Sequence, residues 1–158
     1  MLTFQRLMIM LPLTFSVLTT GVANEVAGNV QSNICVNVKN NRSDHVFTLV
    51  KKHNVTLKRD FNNIHCKSSM EFEGGNLYQV AVHYQRFGMM DSFIDEHHLD
   101  INLIDTEGRT ILDWVDFKIN HYKEVKIQRQ ETRYQALRKI LVGDYEAKTR
   151  AQLEEAKQ

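Results

Sequence analysis

Proline is nearly absent from this 158-residue chain: Pro12 stands alone, beside only seven glycines. So few breakers exclude collagen-like, Pro-rich and flexible-linker designs and leave long stretches able to be helical. Cysteine is scarce as well, with only Cys35 and Cys66. They form no C-x-x-C pair and His65 is the one nearby nitrogen ligand, so a redox dithiol or a zinc site has little footing. No G-x-S-x-G elbow, P-loop, dinucleotide fingerprint or H-E-x-x-H pattern occurs, which removes the usual sequence grounds for an enzyme. A dominant charge is also missing: 20 basic residues face 19 acidic ones. A balanced chain has no global electrostatic reason to bind nucleic acid.

What is present begins at the amino terminus. Residues 1–23 carry one charged side chain, Arg6, then an apolar run from Leu7 to Leu18, with Gly21 and Ala23 at −3 and −1 of a cleavage point before Asn24. That is the grammar of a secretory signal peptide, and the run is shorter than the ~20 residues of a membrane span. An uncleaved signal-anchor is the alternative. Removal leaves 135 residues with 19 basic and 19 acidic side chains, a length that suits one domain. The expectation is a periplasmic or secreted protein with no stable membrane insertion after cleavage. In such a compartment an even cysteine count favours a Cys35–Cys66 disulfide, with two buried thiols as the alternative. Closing that loop is worth on the order of 3–4 kcal/mol. Two sequons, Asn41-Arg42-Ser43 and Asn54-Val55-Thr56, matter only in a eukaryotic secretory route.

Periodicity through the remaining chain is helical. Ile34–Val38 opens a first helix, Asn40–Ser43 makes a turn, and Asp44–His53 forms a second helix with Val46, Leu49 and Val50 on one face. Residues 54–73 form a long connection with Leu57, Phe61, Ile64 and Met70 to bury. Leu77, Val80, Ala81 and Tyr84 then follow helical spacing, Gly88 ends a turn, and Met90, Phe93 and Ile94 line a returning helix. Asp100 and Asp105 suit the loop that follows, because short carboxylates bond nearby backbone N–H groups. The helix from Ile111 runs past Phe117 towards Tyr122, Asn120–Gln130 is a charged insertion, and Thr132 caps a helix striped by Tyr134, Leu137, Ile140 and Leu141. Val142-Gly143-Asp144 breaks that helix.

The segment Gly74-Gly75-Asn76-Leu77-Tyr78-Gln79 is echoed by Gly108-Arg109-Thr110-Ile111-Leu112-Asp113, 34 positions later. With Asp100-Ile101-Asn102 and Asp105 between them, the pattern resembles the ankyrin repeat family, whose period is about 33 residues. Ile111 stands where the family has proline, and the one extra residue of the repeat is expected between Gln85 and Gly88. The resemblance implies an all-α fold, an ankyrin-like helical solenoid of about three helix–turn–helix repeats with short loops or hairpins. Its boundaries are a signal peptide at 1–23, the repeat-like domain at 24–145 and a polar helical cap or tail at 146–158.

Such arrays bind macromolecules on a concave face built from loop tips and first helices. Transferred by position, that face holds His83, Tyr84, Ile104, Thr106, Glu107, Arg109, Phe117 and Lys118, with Tyr84 and Phe117 as neighbours and Arg109 beside them. Aromatic residues and arginine are the usual interface anchors. The expected function is therefore an exported protein–protein interaction module that needs no cofactor. One rival reading is a metal-dependent or hydrolytic exported enzyme using His83, His97 and His98. The run Asp95-Glu96-His97-His98 carries that reading, although a solvated helix end with a cationic histidine on the dipole is the plainer account. Asp113 and Asp116, three apart on one helix face, are a second acid–base candidate. The other rival is a structural envelope protein that self-associates through exposed repeat ends.

Overall fold

The computed structural model describes residues 26–67 and 74–158. The expected signal peptide at 1–23 and Met70 of the long connection lie outside the described residues. Among the described residues the chain is all-α. Helix α1 (Gly28–Lys39) pairs with α2 (Ser43–Lys52), and the short α3 (Leu57–Asp60) sits in the connection that follows. Helix α4 (Leu77–His83) leads into α5 (Phe87–Asp91), which continues as a π-helical turn over Ser92–Glu96. Helix α6 (Ile111–Glu124) pairs with α7 (Gln128–Gly143), and α8 (Arg150–Glu155) ends the chain. Across the pairs, α1 packs on α4 and α4 on α6. The only β-pairing among the described residues is an isolated antiparallel bridge between Cys66 and Gly75.

Each helix of the three pairs is followed within three residues by one in the left-handed region. Asn41, Gln85 and Lys126 close the first helices, and Asn54, His98 and Glu146 follow the second ones. Around Gln85 the Gln85 N–H donates to Val82 O at 3.0 Å and the Arg86 N–H to Ala81 O at 2.7 Å. These are the paired bonds of a Schellman motif, which satisfy carbonyls the helix would otherwise leave open. The same two bonds recur after α1 and α6, from Asn41 and Arg42, and from Lys126 and Ile127. The residue that follows each second-helix turn is buried: Val55, Leu99 and Ala147.

Three helix starts share one cap, while α1, α2, α3, α5 and α7 start without a side-chain cap. Asn76 and Gln79 exchange side-chain and backbone bonds in a capping box at the start of α4, Thr110 and Asp113 do so at α6, and Thr149 and Gln152 at α8. Each box satisfies two N–H groups that a helix start leaves unbonded. The long connection is pinned at both of its described ends. Cys35 of α1 is disulfide-bonded to Cys66, with their Cα atoms 5.6 Å apart, and Cys66 exchanges backbone bonds of 2.8 and 3.1 Å with Gly75. Within it, the buried Asp60 carboxylate accepts from the Thr56 N–H and pairs with Arg59, which lowers its pKa.

Several sequence expectations shift. Helix α1 begins at Gly28 rather than Ile34. Gly88 lies inside α5, because the turn is made earlier by Gln85. The segment from Gln85 to Gly88, where an extra residue was expected, holds the left-handed turn and the start of α5. Thr132 is inside α7, which starts at Gln128. The insertion around Asn120–Gln130 lengthens the helices on both sides of the turn at 125–127: Leu77 and Gln85 are 8 positions apart but Ile111 and Lys126 are 15, and Gln85 and His98 are 13 apart but Lys126 and Glu146 are 20, so each arm of the last hairpin gains about two turns.

The core runs continuously through the pairs. Ile34, Val38 and Val46 fill the first, Leu77, Val82, Met90 and Phe93 the second, and Leu112, Val115, Tyr134 and Leu141 the third. Edge-on or tilted rings link Phe61 to Tyr78 and Tyr78 to Phe93, geometries that rings favour over flat stacking.

Candidate interaction surface

The capping boxes also tie one loop to the next. Gln79, the third residue of the α4 box, donates through Nε2 to Asp105 Oδ2 at 2.9 Å. Asp105 Oδ1 accepts from the N–H groups of Glu107 and Arg109 at 2.9 and 2.8 Å, which shapes the 105–109 turn as its sequence anticipated. One box further on, Asp113 Oδ2 accepts from the Arg150 N–H at 3.0 Å, and the Thr110 hydroxyl donates to Lys148 O at 2.8 Å. Lys148 N–H in turn donates to Asn102 Oδ1. Loop tips 104–109 are therefore held by the helices beneath them rather than left to their own conformational preference.

Two groups of the anticipated surface residues emerge. The first surrounds Phe117, which is 50% exposed on α6. The Arg109 guanidinium lies 5.7 Å from its ring centroid, and His121 stacks at 6.4 Å. Arg109 is itself held by Asp105 at 3.2 Å and Glu107 at 2.8 Å. Thr106 and Glu107 are exposed beside it. Ile104 is 40% exposed, and its carbonyl accepts from Asn62 Nδ2 at 3.1 Å. The second group lies at the end of α4. Tyr84, half-buried, has the Lys39 ammonium 4.7 Å above its ring and His83 edge-on at 4.8 Å.

His83 and Lys118 depart from the surface role expected of them. His83 is 7% exposed and Lys118 is 4% exposed, so neither presents its side chain to a partner. His83 Nδ1 shares a hydrogen bond of 2.7 Å with the Tyr134 hydroxyl, and its carbonyl accepts from Arg133 Nη2. Lys118 sits near the faces of Trp114 and Phe117, 5.6 and 5.9 Å from the ring centroids. His83 thereby joins α4 to the last hairpin, while the Lys118 contacts lie within α6.

The histidine run has a structural environment too. His97 stacks on Phe47 of α2 at 4.2 Å, and burial lowers its pKa. Asp95, Glu96 and His98 are exposed, as a solvated helix end requires, and only His97 departs from that expectation, since burial favours its neutral ring. His98 is the left-handed residue closing the second pair. Among the described residues no three His, Cys, Asp or Glu side chains gather as a metal site. Asp113 and Asp116 diverge in task, since Asp113 completes the α6 box and Asp116 pairs with Arg138 at 2.6 Å.

Sequence reasoning passed over Val36, which is 51% exposed on α1. The signal was there: Ile34 and Val38 are fully buried, and a residue two positions from each points to the other side of a helix. No helix among the described residues is long and apolar enough to cross a membrane. Comparisons with protein-family models, with curated proteins and with solved structures return no match.

Proposed function

We propose that this chain is an exported, ankyrin-like solenoid that binds a protein partner through the face formed by its first helices and loop tips. The observation that carries this reading is the threefold recurrence of one unit: a helix, a left-handed turn, a returning helix and a second left-handed turn. Capping boxes open α4, α6 and α8 and bond each loop to its neighbour. Units that bury their cores only against each other make a quasi-linear array with a preorganised surface. Preorganisation lowers the ordering cost of association. On that surface Phe117 is exposed with Arg109 against it, the residue types that dominate interface energetics. The disulfide fits an oxidising, extracytoplasmic compartment, which agrees with the proposed signal peptide. The exposed, polar α8 closes one end as a cap.

The test is affinity capture from the native exported fraction with the mature, oxidised chain. One stoichiometric protein retained by the wild type and lost with the Tyr84→Ala/Phe117→Ala double variant, at unchanged helicity, supports the reading. Retention of nothing, or equal retention by the variant, removes it.

A further inference from the structure

Helices α1 and α4 leave a groove of about 190 Å³ between them. Its walls are apolar: Val36 on α1, Val80 and Tyr84 on α4, with the Cys35–Cys66 disulfide at its edge. Small-molecule sites usually occupy roughly 300–1,000 Å³, so this volume suits one large side chain rather than a whole ligand. The polar side of the lining has a single sign. Lys39 and Lys67 both line the groove and, among the described residues, none of its lining is acidic, in a chain whose basic and acidic counts nearly cancel. The Lys39 ammonium is over the Tyr84 ring, and Lys67 directly follows the bridged cysteine. The groove is also rigidly framed. Arg86 Nε donates to the Lys39 carbonyl at 2.6 Å, holding the end of α1 against the α4–α5 turn, and the disulfide ties α1 to Cys66.

We propose that this groove receives an extended segment of the partner protein carrying one large apolar side chain flanked by carboxylates. The apolar side chain fills the space between Val36 and Tyr84 beside the disulfide. The carboxylates pair with Lys39 and Lys67 at the rim, where complementary charge governs selectivity more than raw affinity. This assignment rests on the protein-binding reading above and adds the chemistry of the partner to it.

The experiment is a two-dimensional amide NMR titration of the oxidised chain with a blocked pentapeptide holding phenylalanine between paired glutamates. Two companion peptides replace the glutamates by glutamine or the phenylalanine by alanine. The expected result is saturable shifts at the Val36, Lys39 and Tyr84 amides, with both companions markedly weaker. The Lys39→Glu/Lys67→Glu variant should bind the glutamate peptide on the order of tenfold more weakly, from two exposed ion pairs made repulsive. The same variant should gain affinity for a lysine-flanked version, a rescue that a misfolded protein could not show. Absence of groove shifts, or equal binding of the glutamine peptide, overturns the assignment. So does adsorption to phosphatidylglycerol vesicles without peptide binding, which would make the rim a lipid contact. A native partner still retained by the charge-reversed variant but lost on Phe117→Ala would overturn the groove alone and leave the protein-binding reading standing.

Discussion

At the scale of single residues, the account depends on side chains and backbone angles that do one identifiable job. Gly75 has φ +157°, and a Cβ there would stand 1.9 Å from Gln79 Oε1. That oxygen accepts from the Asn76 N–H in the α4 box, so a methyl group at Gly75 would push the box apart. Gly75→Ala is expected to cost about 1–3 kcal/mol, combining backbone strain with a lost cap, as measured by urea unfolding. His97 offers a pH-dependent check. Burial against Phe47 lowers its pKa below the unfolded value, so the unfolded chain takes up this proton first as pH falls. Stability is therefore untouched above about pH 6.5, declines as pH drops from there through the folded pKa, and levels off below it. His97→Phe keeps a ring on Phe47 and removes the proton, so its unfolding free energy should decline less than the wild type's over that range. Equal slopes would assign the acid sensitivity to another group.

The elements show how much could be read from residues alone. The helical class, the two glycine-led starts at Gly74 and Gly108, and the aspartates that shape the 105–109 turn were all legible, because helical spacing and short carboxylates leave local signatures. The inner turn at Asn40–Ser43 was legible too, and the structure places left-handed Asn41 in it, but the other left-handed turns were not. A left-handed position is usually announced by glycine, yet here Gln85, Lys126, His98 and Glu146 occupy it, so the search for glycine misplaced the turn at Gly88. Thr132 misled for a related reason: it resembles a cap, but α7 starts at Gln128 with no side-chain cap. Burial of His83 could not be foreseen, because it depends on a contact with Tyr134 from another hairpin, whereas the Lys118–Trp114 contact is an i,i+4 pair within α6. The inner-turn geometry makes its own prediction. A non-glycine residue in the left-handed region costs roughly 1–2 kcal/mol, against about 0.5–1 for the extra unfolded entropy of glycine. Lys126→Gly should therefore raise stability by about 0.5–1 kcal/mol, seen as a higher melting temperature. A lower one would mean that the Lys126 side chain contributes more than its backbone costs.

At the scale of the whole molecule, three hairpins share one core, and a covalent tie spans the longest connection. The Cys35–Cys66 bridge closes a separation of 31 residues, worth about 3–4 kcal/mol by chain entropy. The Cys35→Ser/Cys66→Ser variant should lose about that much stability in calorimetry while keeping its helicity, because the core residues of all three pairs remain. Loss of helicity altogether would show that the first pair cannot pack without the bridge. The face built on this scaffold is the central claim, and isothermal titration of the purified native partner against wild type and Phe117→Ala tests it most directly. An exposed aromatic anchor beside Arg109 predicts a loss of about 2 kcal/mol, roughly thirtyfold in Kd, with unchanged stoichiometry. Identical affinity for the two proteins would contradict the account and move the binding site away from this face.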